Sequence, residues 1–288
     1  MVYVQILING ILLGCLYGAI AVGFSLVWGV MDIINLAHGV MVIVGALVTY
    51  WVFFNYGINP LWVLPIAFLV LFIIGTTVQK FGLNRIIRAP LFMTFIFTFA
   101  LGRILENTAF LIFGGEYRSS AAGVYLGEIV IGSITIPYIR IMVAVLAIAM
   151  ILLFYLFMSR TKTGNAIRAT RMNIDAAKLM GINVGNIYAI TFGLSAGLAG
   201  ASGALISTAF VFTATAGPTY LLIAFVACII GGLGNTNGAL VGGIALGIIE
   251  AFGAVVLGPG YREMVGMLAL ILILIFRPRG IMGMEYYD

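Results

Sequence analysis

The sequence predicts an all-α membrane protein, folded as a polytopic bundle of eight or nine transmembrane helices. Of the 288 residues, 63% are hydrophobic and only 8% are charged, whereas a soluble domain carries about 25% charged residues. Long apolar runs recur along the chain, and a helix needs about 20 such residues to cross a bilayer. A transmembrane β-barrel would instead show short segments of alternating hydrophobicity, so the continuous runs favour helices.

The apolar runs define nine candidate spans along the chain. We expect them at residues 4–28, 39–56, 61–79, 91–113, 138–159, 187–210, 219–233, 238–257 and 261–276. The seventh and ninth are short for a full crossing, so a total of eight stays open. We interpret residues 1–288 as one transmembrane domain with a cytoplasmic loop at about 160–186. The first run has no basic segment before it, so we expect a retained span rather than a cleaved signal peptide.

Basic residues cluster in three loops and predict the orientation of the chain, because cytoplasmic loops carry an excess of Lys and Arg. The clusters are Lys80, Arg85 and Arg88; then Arg160, Lys162, Arg168, Arg171 and Lys178; then Arg277 and Arg279. The spacing of the spans puts all three clusters on one side, which we expect to be the cytoplasm. The polar stretch 114–137 then faces outward.

Polar residues interrupt the apolar pattern between the first two spans, at Asp32, Asn35, His38 and Gly39. Transporters use broken helices at binding sites, because irregular backbone is tolerated where it lines a cavity. The segment is therefore either a helix break beside a transport pathway or an ordinary turn at the membrane surface. His38 is the only histidine, so no histidine cluster indicates a metal site and we expect none.

Two further ionisable features lie inside predicted spans, where charges are costly and usually have a role. Arg103 and Glu106 are three residues apart, so they can form an intramembrane ion pair along one helix face. That pair is either structural or part of gating or recognition. Glu250 has no partner that the sequence identifies. It can pair with Arg103, face water or line a transport pathway.

Glycines recur at the spacing that brings helices close together in lipid. Gly10, Gly14 and Gly18 are four residues apart, as are Gly243 and Gly247. Small residues at this spacing let two helix backbones approach closely. We therefore expect tight packing of helices within one bundle, and faces that slide or rock during transport are the alternative.

The cytoplasmic segment 160–186 contains a predicted short helix that ends near Gly181. Asn173 or Asp175 can cap its start, and a glycine suits its end. The apolar residues Ala176, Leu179 and Met180 would give this helix an exposed apolar face. Such a face suits docking on another protein. A basic loop lying on anionic lipid is the alternative.

The block Asp175-Ala176-Ala177 followed by Gly181 resembles the coupling loop of ABC importer permeases, with Asp where many members have Glu. The chain as a whole resembles the LivH-type permeases of bacterial branched-chain amino-acid importers. The matching motifs are Asn9–Gly14, Tyr17–Ala19, Ile34–Gly39, Asn165–Ala169, Asp175–Gly181, Gly231–Asn235 with Gly238–Ala239, and Arg277–Gly280. Urea and amide permeases resemble the same pattern, so the resemblance is more specific for the family than for the substrate.

The resemblance implies a multi-pass subunit of the bacterial inner membrane that translocates branched-chain amino acids. It implies three kinds of protein partner: ABC ATPase subunits that hydrolyse the ATP, a second related permease, and a periplasmic or extracellular substrate-binding protein. The ATPase would dock on Asp175, Ala176, Ala177 and Gly181, flanked by Arg168 and Arg171. Asn35, His38 and Gly39 would shape a helix break near the pathway, with Asp32 and Glu250 as further candidates.

The sequence itself carries no phosphate-binding loop and no nucleophile–base–acid set. We therefore expect no enzymatic activity, no cofactor on this chain and no nucleic-acid partner, with membrane lipid around the bundle. Three alternatives remain. The first is a permease of the same family for urea or short amides. The second is an ion-coupled secondary transporter that uses Asp32, Glu106 and Glu250 as coupling groups. The third is an intramembrane enzyme.

Overall fold

The computed structural model describes residues 2–86, 90–124, 127–132 and 134–283. Over these ranges the chain forms twelve α-helices and one β-hairpin. The helices are α1 (Val2–Met31), α2 (His38–Tyr56), α3 (Pro60–Val78), α4 (Asn84–Ile86), α5 (Leu91–Phe113), α6 (Tyr138–Arg160), α7 (Lys162–Met172), α8 (Ile174–Leu179), α9 (Val184–Ala209), α10 (Gly217–Gly231), α11 (Thr236–Val256) and α12 (Arg262–Phe276). Each of the nine predicted spans corresponds to one of these helices, with ends that agree within three residues. Arg88, in the first basic cluster, lies outside the described residues.

Eight helices of the described ranges are long and apolar enough to cross a membrane. They are α1, α2, α3 with the turns that follow it, α5, α6, α9, α11 and α12 with the turn that precedes it. Helix α10 has 15 residues, which gives a length of about 22 Å, less than the ~30 Å hydrocarbon core. The all-α polytopic bundle that the sequence predicts is therefore confirmed, with α10 as a partial crossing.

Hydrogen bonds between helix ends define two opposite faces of the bundle. On one face Asn84 Nδ2 donates to the Gly185 carbonyl, beside the second basic cluster, and the tail residue Ile281 bonds to Ile230. On the other face Arg140 donates to Asn9. The basic clusters described in the structure lie on the first face, which identifies it as cytoplasmic. The second face is external.

Two sets of four helices repeat the same order in opposite directions across the membrane: α1, α2, α3 and α5, then α9, α10, α11 and α12. Helix α1 runs from the external to the cytoplasmic face, and α9 runs the other way. The first helix of each set packs on the third helix of the other, because the most extensive contacts are α1 with α11 and α3 with α9. Inverted repeats of this kind are typical of transporters.

The predicted glycine spacing is used where α1 meets α11. A β-carbon on Gly14 would lie 2.5 Å from the Ile244 Cα, and a β-carbon on Gly247 would lie 2.5 Å from the Gly14 Cα. No side chain fits between backbones at that separation. The two helices therefore depend on these glycines for their close approach.

The external stretch 114–137 contains the hairpin, which the sequence analysis did not predict. Strand β1 (Glu128–Ile131) pairs antiparallel with β2 (Ile134–Pro137), with Ile129 opposite Ile136. Gln5 at the start of α1 donates to the Thr135 carbonyl at 3.1 Å. The hairpin therefore lies against the external end of the bundle.

Candidate functional site

The cytoplasmic segment between α6 and α9 folds as the two short helices α7 and α8. Asn173 caps α8, because its Oδ1 accepts hydrogen bonds from the backbone N–H groups of Asp175 (3.0 Å) and Ala176 (2.9 Å). Asp175 is therefore not the cap. Its carboxylate pairs instead with Lys178 Nζ at 2.9 Å, one turn further along the same helix.

Gly181 ends the turn after α8 in a conformation that favours glycine. Its φ is 79°, and its N–H donates to the Lys178 carbonyl. A β-carbon there would meet nothing within 4 Å, so the requirement for glycine is conformational rather than steric. The start and the end of α8 are thus both fixed locally.

The surface of α8 is apolar on its cytoplasmic side. Leu179 is 89% exposed and Met180 is 82% exposed, and Ala176 is also exposed. Ala177, predicted as part of the docking surface, is only 3% exposed and faces the bundle. Ala177 therefore supports α8 from below, while Leu179 and Met180 supply its free surface.

Helix α7 connects α8 to the bundle. It packs on α6, α9 and α1, with Ile167 fully buried. The predicted flanking residue Arg168 is exposed and donates to Asn165 on its own helix. Arg171 lies near the end of α7 and lines a cavity together with Arg168. Helix α7 therefore lies between α8 and the membrane-spanning helices α6, α9 and α1.

The first polar interruption is a helix break, since α1 ends at Met31 and α2 begins at His38. His38 Nε2 donates to the Ile20 carbonyl at 3.0 Å. Ile20 lies 11 residues before the end of α1, which corresponds to about 16 Å along the helix. The chain therefore re-enters the bundle after α1, and α2 begins at membrane depth rather than at the surface.

The residues of this break each have a local structural role. Asp32 has a φ of 53°, which turns the chain back after α1. Asn35 Oδ1 accepts from the Ala37 N–H at 3.1 Å. His38 is fully buried, with Ser195 Oγ 3.5 Å from its Nδ1 and the Phe24 ring packed edge-on.

A second break precedes α10, between Ala209 and Gly217. Its end meets the first, because a β-carbon on Gly39 would collide with the Gly217 carbonyl and with the backbone of Leu221. The N-terminal ends of α2 and α10 therefore meet inside the bundle. Helix N-termini carry partial positive charge, and transporters place such ends near their substrates.

The predicted pair of Arg103 and Glu106 is present, with Arg103 Nη1 2.9 Å from Glu106 Oε2. The side chain of Glu106 points inward, whereas that of Arg103 is 56% exposed. The guanidinium also lies over the Phe99 ring on the same helix. Within the part of the chain that the structure describes, the side chains that contact Arg103 in this way all belong to α5.

Glu250 does not pair with Arg103. Its Oε2 lies 2.7 Å from Arg262 Nε at the start of α12 and accepts from the Tyr17 hydroxyl at 2.8 Å. Arg262 Nη2 also donates to the Tyr17 oxygen at 2.9 Å. The three side chains form a closed triangle that joins α1, α11 and α12, with Glu250 only 5% exposed.

Tyr17 and Arg262 are functional candidates that the sequence reasoning missed. Tyr17 stands in a motif of the first span, but nothing in its spacing indicates an acidic partner 233 residues away. Arg262 precedes the last apolar run, where a basic residue looks like an ordinary interfacial anchor. The sequence offered one signal: Glu250 stands within an apolar run, where a charge needs a cation nearby.

Cavities lie toward both faces of the described bundle. One external cavity, of about 190 Å³, is bordered by the triangle. The cytoplasmic cavity, of about 300 Å³, is bordered by Ser25, Arg168 and Arg171. Between them α1 is closely packed, with Leu240 against Gly18 and Cys228 Sγ bonded to the Ala21 carbonyl. The two cavities are thus separated by packed residues.

Within the described ranges no group of three His, Cys, Asp or Glu side chains is placed to hold a metal ion. Cys15 and Cys228 are both buried and unpaired with each other.

Inverted helix sets, two breaks that meet at membrane depth and cavities toward both faces are typical of multi-pass membrane transport proteins. The chain belongs to the family described as "Branched-chain amino acid transport system / permease component", which matches residues 6–276. This family assignment confirms the resemblance inferred from the motifs.

Relatives align over nearly the whole chain. The permease protein BraD of a high-affinity branched-chain amino acid transport system from Pseudomonas aeruginosa is 31% identical, over 98% of this chain and 96% of its own. The corresponding LivH of Escherichia coli K12 is 28% identical over the same shares. A probable branched-chain amino acid transport permease, LivH, of Methanocaldococcus jannaschii is 28% identical over 98% and 93%. No solved structure matches the chain.

Proposed function

We propose that this chain is the membrane-spanning subunit of an ATP-driven importer for branched-chain amino acids. The ATP is hydrolysed on ABC ATPase subunits, so this chain binds no cofactor itself. A second, related permease completes the membrane part, and a substrate-binding protein delivers the amino acid to the external face. Surrounding lipid is the remaining partner, and nucleic acid is not one.

The observation that carries the proposal is the exposed apolar turn of α8 on the cytoplasmic face. Leu179 and Met180 project from a helix whose start is capped by Asn173 and whose end is set by Gly181. A preformed helix with an exposed apolar face suits insertion into a groove of another protein. Since α7 continues α8 into the bundle, closure of an ATPase pair against α8 would move membrane helices.

The pairing of the intramembrane carboxylates supports this reading over an ion-coupled transporter. Glu106 pairs with Arg103, and Glu250 pairs with Arg262. Each of these acids already has an arginine partner within the chain, which favours a structural role for both pairs. The family description and the names of its members support branched-chain amino acids as the substrate.

The docking proposal predicts that Leu179→Glu separates the ATPase from the permease. A carboxylate on this apolar face would be desolvated on docking without a partner. We expect loss of ATPase co-purification and loss of labelled-leucine uptake, with normal amounts of permease in the membrane. Ala177 is unsuitable for this test, because a large residue there would disturb the packing beneath α8.

Phe81→Glu serves as the matched control. Phe81 is 60% exposed near the same face but outside the segment 160–186, so its variant should keep the ATPase bound. Normal uptake by Leu179→Glu with the ATPase still attached would refute the docking proposal. Uptake of urea or acetamide but not leucine by the unaltered transporter would leave the permease class intact and refute the substrate.

A further inference from the structure

The external cavity of about 190 Å³ has two chemically different walls. It lies where α1, α9, α10, α11 and α12 meet, and its volume is several times that of a water molecule. The apolar wall consists of Leu13, Leu16, Ile206, Phe210, Val211 and Ile223. The polar wall consists of Tyr17, Thr219, Tyr220, Glu250, Arg262 and Glu263.

The polar wall has free hydrogen-bond donors on a cation and free acceptors on a carboxylate. Two N–H groups of Arg262 donate hydrogen bonds to Glu250 and Tyr17. A guanidinium has five N–H donors in all. Glu263 is exposed and has no ion-pair partner in the part of the chain that the structure describes. A guanidinium with free donors therefore stands next to a carboxylate with free acceptors.

The start of α10 adds to the cationic side. Thr219 and Tyr220, in the first turn of this 15-residue helix, line the cavity. The second residue of α10 is Pro218, which has no N–H, and the helix dipole favours an anion near this end. The cavity thus offers two anion-attracting groups, Arg262 and the helix end, opposite Glu263.

We propose that this cavity is a binding site for a zwitterionic α-amino acid with an aliphatic side chain, a site that rests on the function proposed above. The carboxylate binds to Arg262 and the first turn of α10. The ammonium binds to Glu263, with the Tyr17–Glu250 edge of the triangle beside it. The aliphatic side chain packs on the apolar wall. The permease then recognises the amino acid itself rather than providing only a gated path.

Val211 allows the site to be probed without disturbing the fold. It lines the cavity and is 61% exposed. A cysteine at this position can be labelled from outside by a membrane-impermeant methanethiosulfonate. The native Cys15 and Cys228 are 3% and 0% exposed, so they give little background. Tyr117→Cys, on the same external face and 82% exposed, is the matched control.

The experiment measures labelling of Val211→Cys in the full transporter, reconstituted without the substrate-binding protein. At a leucine concentration ten times its Kd, occupancy should slow labelling about tenfold. Leucinamide, which lacks the carboxylate, and 4-methylpentanoate, which lacks the ammonium, should protect far less. Leucine should leave labelling of Tyr117→Cys unchanged.

Adding Glu263→Gln to Val211→Cys tests the ammonium subsite. The labelling rate without leucine should stay the same, which shows that the external cavity is intact. Protection should then require a higher leucine concentration. Equal protection by leucine, leucinamide and 4-methylpentanoate would overturn the proposal, because it would show an apolar cleft without charge recognition.

Uptake by the unaltered transporter separates the site from the proposed function. If leucine is taken up but does not slow labelling of Val211→Cys, the site is refuted and the function stands. If leucine slows labelling but is not taken up, the site stands and the function is refuted. If leucine does neither, both are refuted.

Discussion

The two ion pairs inside the membrane spans are built in opposite ways. Arg103 and Glu106 lie one turn apart on α5, so the helix alone brings them together. Glu250 and Arg262 lie on different helices and close a triangle with Tyr17 on a third. The first pair stabilises one helix, whereas the second fixes how three helices pack.

The difference matters because membrane helices form before they associate. A pair within one helix is present both before and after association, so its contribution largely cancels from the folding free energy. A pair between helices exists only after they pack. The comparison therefore predicts a ranking of the stability changes that single substitutions in the two pairs cause.

Removing Arg262 should have the largest effect. Arg262→Gln leaves the Glu250 carboxylate, only 5% exposed, without its cation. Breaking a buried pair in this way costs about 3–5 kcal/mol. We expect a loss of unfolding free energy near the lower end of that range, since the Tyr17 hydroxyl still donates to Glu250. Denaturant titration of the purified permease in micelles would measure it.

The double variant Glu250→Gln/Arg262→Gln is the control for this result, because it removes the uncompensated charge. We expect it to recover most of the lost stability. If the single variant is as stable as the unaltered chain, the triangle does not hold the three helices together.

Tyr17→Phe should have an intermediate effect. It removes the hydroxyl that donates to Glu250 and accepts from Arg262 but leaves the charge pair and the ring in place. Hydrogen bonds to charged groups contribute about 1.5–3 kcal/mol, and we expect a loss near 1.5 kcal/mol in the same titration. Tyr220→Phe, which keeps the triangle complete, serves as the comparison. Equal losses of unfolding free energy from both variants would show that the hydrogen bonds of the Tyr17 hydroxyl contribute no extra stability.

The same distinction explains how much of this protein its sequence predicts. Local patterns located nine helices within three residues of their ends, the polar interruption before His38 and the pair on α5. Hydropathy cannot show that α10 begins inside the bundle, because the contact between Gly39 and Gly217 joins distant segments. The sequence could not predict the partner of Glu250 or the inward orientation of Ala177 either, because both depend on packing between helices.

Arg103→Gln should have the smallest effect. Helical pairs three residues apart contribute about 0.2–0.5 kcal/mol, and this one should survive when α5 leaves the bundle. We therefore expect a change below about 0.5 kcal/mol in the unfolding free energy of the isolated permease. Arg103 is 56% exposed near the middle of α5, where a charge facing lipid would be costly. If Arg103→Gln instead destabilises the assembled transporter much more than the isolated permease, its guanidinium must contact another subunit. That outcome would show that Arg103 stabilises contacts between subunits rather than one helix alone, and it would locate a subunit interface on α5.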